Sequence, residues 1–111
     1  MNILASSREL NSKELYFTTK APDIRKMSDA AGSVLDIDYW VEYQDTNKDG
    51  ETQTIISIAT PDGVYASNSA SFIRAFSDIM ECFTVDEIKR IKVDSGKSNA
   101  GRTFLTCVYS D

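Results

Sequence analysis

The sequence predicts a mainly β domain of the α+β class, with five short strands and one helix between the third and fourth. Three observations carry this. Leu35, Ile37, Tyr39, Val41 and Tyr43 alternate with Asp36, Asp38, Trp40, Glu42 and Gln44, the period-two pattern of a half-buried strand. Phe72, Phe76, Ile79, Met80 and Phe83 fall at i, i+4, i+7, i+8 and i+11, one apolar stripe of a helix. Clusters of turn residues, Asn47-Lys48-Asp49-Gly50 and Pro61-Asp62-Gly63, punctuate the β-rich stretches between them.

The elements follow in order. Residues 1–33 read as an N-terminal helical extension. Ser6-Ser7-Arg8-Glu9 can open a short helix, and Ser12 precedes Lys13-Glu14-Leu15-Tyr16-Phe17. Pro22 can start a second helix bearing Ile24, Met27 and Ala31, with Gly32 placed to stop it. The first strand runs from Val34. After the Asp49-Gly50 turn, which suits positive φ, the β-branched stretch Thr52 to Thr60 is the second. Val64 to Asn68 is the third. The helix over 70–83 is capped by Ser69 or Ser71, and its apolar stripe is core filling. Thr84-Val85-Asp86-Glu87 has capping-box spacing and predicts one more helical turn. Ile88 to Asp94 is the fourth strand. The glycine-bounded loop Ser95–Gly101 leads to the fifth, Arg102 to Tyr109. Residues 34–111 thus have the element order of an OB-fold-like five-stranded barrel. A helix on an open sheet gives the same string, and order alone does not separate the two.

Composition bounds the chemistry. One domain is all that 111 residues support. The 41% hydrophobic and 26% charged content suits a folded, soluble chain, and no apolar run approaches a membrane span. The N-terminus lacks the regions of a signal peptide, so cytoplasmic residence is expected. With no His, histidine triads and histidine-bearing zinc sites are excluded. Cys82 and Cys107 read as reduced, semi-buried fillers. No phosphate-cradling glycine motif is present. Asp45 to Glu51 matches the front half of an EF-hand loop, but position 12 falls on Ile56, and the segment reads as an acidic turn. No metal and no cofactor is expected.

Charge is segregated. The total is −5, yet residues 89–102 carry +4 from Lys89, Arg90, Lys92, Lys97 and Arg102 against Asp94, while residues 34–69 carry −6. In an OB-fold the loop between the last two strands is a principal nucleic-acid loop, and a basic Gly/Ser/Asn/Lys loop can follow a phosphate backbone. The same segment is also what a solvated hairpin looks like. Trp40 sits on the polar side of the first strand. It is either covered by the N-terminal helices or a stacking platform for bases. Tyr39 and Tyr43 are expected to face inward.

An ordered pattern runs Thr54-Ile55-Ile56, Asp62-Gly63, Tyr65, Ser69, Ser77-Asp78-Ile79, Lys92-Val93, Gly96, Ser98, Gly101 and Phe104. In this order and spacing, residues 54–109 resemble the single-stranded DNA-binding protein of phi29-type bacteriophages. Residues 32–43 fit more loosely, and residues 1–31 do not match. The resemblance implies an OB-like barrel and a phage or prophage protein that coats single strands during replication, with aromatics stacking on bases. It carries no individual binding residue across. From this sequence itself, the expected nucleic-acid-binding set is Lys89, Arg90, Lys92, Lys97 and Arg102 on phosphates, with Trp40 stacking, helped by Tyr65 and Phe104 where these face outward. The expected function is non-enzymatic and sequence-nonspecific, with single-stranded DNA as partner and replication proteins as further candidates. DNA against RNA is left open. The alternative is an acidic protein–protein interaction module without nucleic-acid affinity, using strands 34–60. An enzyme built on carboxylates is the remaining reading, with no motif to support it.

Overall fold

A computed structural model describes all 111 residues. Eight strands form two sheets. The strands are β1 (Asn2–Ser6), β2 (Arg25–Lys26), β3 (Val34–Asp36), β4 (Tyr39–Thr46), β5 (Thr52–Thr60), β6 (Gly63–Ser67), β7 (Arg90–Lys97) and β8 (Thr103–Ser110). The helices are α1 (Ser12–Thr19) and α2 (Ala70–Cys82), with short 3-10 turns at Met27–Ala30 and Val85–Glu87. One sheet has the order β1-β4-β5-β6-β2 and the other β3-β7-β8. All neighbours are antiparallel except β2 and β6.

The alternating stretch expected as one strand is two. Its backbone changes sheets at Ile37 and Asp38. The Ile37 N–H donates to the Lys89 carbonyl (2.9 Å), on the β7 side, and the Asp38 N–H to the Ala59 carbonyl (2.8 Å) on β5. The chain is therefore the hinge that joins the sheets. The β4–β5 turn closes as expected, with Gly50 at φ +81, a value that favours glycine.

Between the sheets, Trp40, Ile56 and Ile58 of the larger sheet meet Leu35, Ile91, Val93 and Cys107 of the smaller one, and α2 adds Phe72, Phe76 and Ile79. The helix stripe is core, as its spacing requires. Burial holds the Cys107 thiol up at about 12, so it is a protonated, inert filler. The opposite face of the larger sheet is also covered. There α1 lies across β5 and β6, and Val41, Tyr43, Ser57 and Thr18 are buried.

Two expectations are corrected. The five main strands do not close a barrel, because β6 and β8 belong to different sheets and are not hydrogen-bonded to each other. The N-terminal third is not a helical extension. Its β1 and β2 are the two edge strands of the five-stranded sheet, and of its expected helices only α1 is a full helix. No helix is long and apolar enough to cross a membrane.

The start of α1 is fixed by a capping box. Asn11 Oδ1 accepts from the Glu14 N–H (2.8 Å), and Glu14 Oε1 accepts from the Asn11 N–H (3.1 Å). Hydrogen bonds from Arg8, then from the Asn11 N–H, pull the Glu14 carboxyl down from its ordinary 4.5 to about 2. A depressed carboxylate contributes stability that is fully present above its unfolded value and lost as pH falls through its folded one. Acid titration between about 4.5 and 2 is therefore expected to loosen α1, and Glu14→Gln to remove this pH dependence. Amide exchange over residues 12–19 measured across that range checks it.

Candidate nucleic-acid interface

The β7–β8 hairpin presents one face to the core and one to solvent. Ile91, Val93 and Cys107 point inward and are buried. The alternation that buries them turns Arg90, Lys92, Phe104 and Val108 outward. The strand register sets these in rows: Val34, Lys92 and Val108 lie abreast, as do Asp36, Arg90 and Ser110, and Phe104 sits opposite Gly96. Val34 and Val108 are about half exposed (51% and 50%), and Phe104 is 39% exposed. The outer face of the small sheet is thus part apolar and part charged, with Arg90 and Lys92 on it beside two carboxylates, Asp36 and, opposite Thr106, Asp94.

Gly96 is the key to the Phe104 ring. A Cβ built at Gly96 would lie 2.6 Å from the ring Cζ and 3.1 and 3.2 Å from Cε1 and Cε2. The far end of the ring therefore occupies the space a side chain on β7 would need. The ring reaches across the hairpin onto bare backbone, yet keeps over a third of its surface open to solvent.

The cations of the hairpin differ in availability. Arg90 Nε donates to Asp36 Oδ1 (2.6 Å), so its charge is partly spent within the sheet. Lys89, Lys92, Lys97 and Arg102 are exposed and make no ion pair. Lys97 and Arg102 flank the hairpin tip, whose Ser98 N–H donates to the Arg102 carbonyl (2.9 Å) and whose Gly101 takes φ +79. Two of the acidic groups in the first strands, Asp36 and Asp45, are held in ion pairs with Arg90 and Lys20.

Two expected site residues are elsewhere. Trp40 is only 2% exposed and packs edge-to-face on Phe76, centroids 5.1 Å apart. Its cover is α2, not the N-terminal helices, and no face of the indole is open to a base. Its backbone exchanges hydrogen bonds with Ser7, and its Nε1 has no partner. Tyr65 lies on β6 in the other sheet, half-buried against the core. Arg25 lies over its ring, 5.6 Å from the centroid, and donates from Nη1 to its hydroxyl (3.1 Å). The structure thus places Arg90, Lys92, Lys97, Arg102 and Phe104 along one hairpin, with Lys97 and Arg102 at its tip, Arg90 at the far end and Lys89 just ahead of β7, and leaves Trp40 and Tyr65 out. The expected strand stops at Asp94 and puts Gly96 in the loop, whereas β7 continues to Lys97; Gly96 is a strand glycine opposite Phe104, and only the cross-strand register reveals the pairing.

Where β6 and β8 fail to pair, a groove of about 750 Å³ opens between the sheets. It is lined from β8 by Thr103, Phe104 and Leu105, and from the end of β6 by Ala66, Ser67 and Asn68. Hydrogen bonds fix its walls: Ser71 Oγ donates to the Leu105 carbonyl (2.6 Å), the Ser69 and Ser71 hydroxyls meet at 2.9 Å, and Asn68 Nδ2 donates to Gln53 Oε1 (3.3 Å). Comparison with protein-family models, curated proteins and solved structures found no match for this chain.

Proposed function

We propose that the chain is a non-enzymatic, sequence-tolerant single-stranded DNA-binding protein of a phage or prophage, acting in replication. The observation that carries the reading is the exposed Phe104 ring held across Gly96, on a hairpin whose Lys92, Lys97 and Arg102 make no ion pair. Stacking on an aromatic is indifferent to base identity, and Lys and Arg meet the phosphates that every nucleotide has. The connectivity supports the same reading. The bent β3–β4 segment, β5, β6, then α2, β7 and β8 follow the order of an OB-fold opened between β6 and β8. The hairpin tip with Lys97 and Arg102 corresponds to the loop between its last two strands. The resemblance of residues 54–109 to phage single-strand binders adds the replication context.

Titration of end-labelled oligo-dT, followed by anisotropy over a salt series, is the test. Each phosphate neutralised on a single strand contributes roughly −0.7 to the slope of log K against log salt. Full engagement of Lys89, Lys92, Lys97 and Arg102 is expected to give a slope of roughly −3. Replacing Lys97 and Arg102 together by Ala is expected to halve it. No binding at low salt sinks the reading, and an unchanged slope in the double variant removes the hairpin tip from the interface.

A further inference from the structure

We propose that the groove between β6 and β8 receives a nucleotide of the bound strand, its base against the apolar wall and its phosphate drawn toward Lys26. The inference rests on the single-strand reading of the hairpin and extends it to a second contact zone.

Charge argues first for this occupant. The protein has 17 Asp and Glu residues, yet none of the 15 residues lining the groove is acidic, and Lys26 is their one charge. In a chain of net charge −5, a carboxylate-free cleft is the place where a polyanion meets least repulsion. Size comes second. A volume of about 750 Å³ falls in the range of small-ligand sites. The third argument is the mixture of walls. Ile55, Ala66, Phe104 and Leu105 offer apolar surface to a base. Hydroxyl and amide side chains such as Ser67, Asn68 and Thr103 both donate and accept, so they suit the edge of any base. That matches sequence tolerance.

Continuity gives the path. Phe104 belongs to both the hairpin face and the groove lining, so a strand that stacks there needs no gap to enter the cleft. Lys26, on β2 beside Ala66, stands on the opposite wall and can take the next phosphate. Its neighbour Arg25 is already engaged with Tyr65. The footprint is therefore longer than the hairpin alone would give.

The test uses the full chain and a ladder of oligo-dT lengths. Lys26→Ala removes the charge, and Ser95→Trp fills the cleft from an exposed position on its hairpin wall. Affinity of the unmodified protein is expected to rise in two stages with length. Both variants are expected to bind the shortest oligomers normally and to lose the second stage, a drop of at least about five-fold for long oligomers. Photocross-linking with 4-thiothymidine-containing oligomers, mapped by mass, is expected to mark Phe104 and residues of the Ser67–Ser71 wall. Wild-type affinity for long oligomers in both variants, or cross-links on the hairpin face alone, overturns the groove assignment while leaving the hairpin reading intact. Failure of the unmodified protein to bind any oligomer overturns the hairpin reading itself. Binding of an acidic peptide in the groove with no nucleotide cross-link there assigns the cleft to a protein partner and overturns the proposal.

Discussion

Phe104→Ala is expected to weaken oligo-dT binding by roughly 5- to 150-fold at fixed salt, the equivalent of about 1–3 kcal/mol for one base–aromatic stack. The ring is partly exposed and is not a member of the buried core cluster, so the substitution should leave the fold nearly as stable as before. Binding and stability are thereby separable at this position. The salt slope should not change, because the cations stay where they are. Gly96→Ala tests the same ring without deleting it. The new methyl would stand 2.6 Å from the ring end, and Phe104, being the flexible partner, must swing away. A smaller loss in the same direction is expected, again with the slope preserved. Equal affinity in wild type and Phe104→Ala would show that no base stacks on the hairpin, and the functional reading would lose its main support.

How much of this was legible beforehand depends on whether the cause was local. The second strand over Thr52–Thr60 has the observed bounds, and the helix over 70–83 differs from α2 by one residue, because both are set by short-range pattern. The capping-box turn after Thr84 was equally readable. The basic hairpin was visible as charge. Other features depend on partners distant in sequence. β2 is only two residues long and exists because β6 lies beside it in parallel; nothing within Arg25-Lys26 announces a strand. β1 is a strand through its pairing with β4. The alternation from Val34 to Gln44 implied one buried face and one wet face. In fact both faces of the larger sheet are covered, one by α2 and the small sheet, the other by α1, so β4 buries residues of both parities, Trp40 on one face and Val41 and Tyr43 on the other. Trp40, between Asp38 and Glu42 on the polar side of the alternation, is open in the sequence to either cover or base stacking; the cover is Phe76 of α2, far along the chain. Barrel closure is likewise a matter of whether β6 and β8 come within bonding reach, which no local pattern encodes.

Trp40 therefore makes a prediction opposite to the one its position in the alternation suggests. Trp40→Ala is expected to cost about 3–5 kcal/mol, through lost burial and the cavity left against Phe76. Since domains of this kind have only about 5–15 kcal/mol in total, that is a large share of the fold's stability. Trp40→Phe should sit much closer to wild type. It keeps an aromatic against Phe76 and removes Nε1, a buried donor with no partner, whose desolvation costs about 1–3 kcal/mol. That relief offsets part of the lost ring volume. Thermal melts of the three proteins give the order, and the expected ranking is wild type near Trp40→Phe, both well above Trp40→Ala. The same burial fixes what the indole reports. Its emission should be blue-shifted, resistant to acrylamide and unchanged by saturating oligo-dT, while anisotropy of the labelled strand still registers binding. Trp40→Phe should then bind oligo-dT as wild type does. Strong quenching of Trp40 by oligo-dT, with acrylamide access to match, would instead mean that α2 leaves this face when a strand arrives, and the stacking surface would have to be moved from the hairpin to the large sheet.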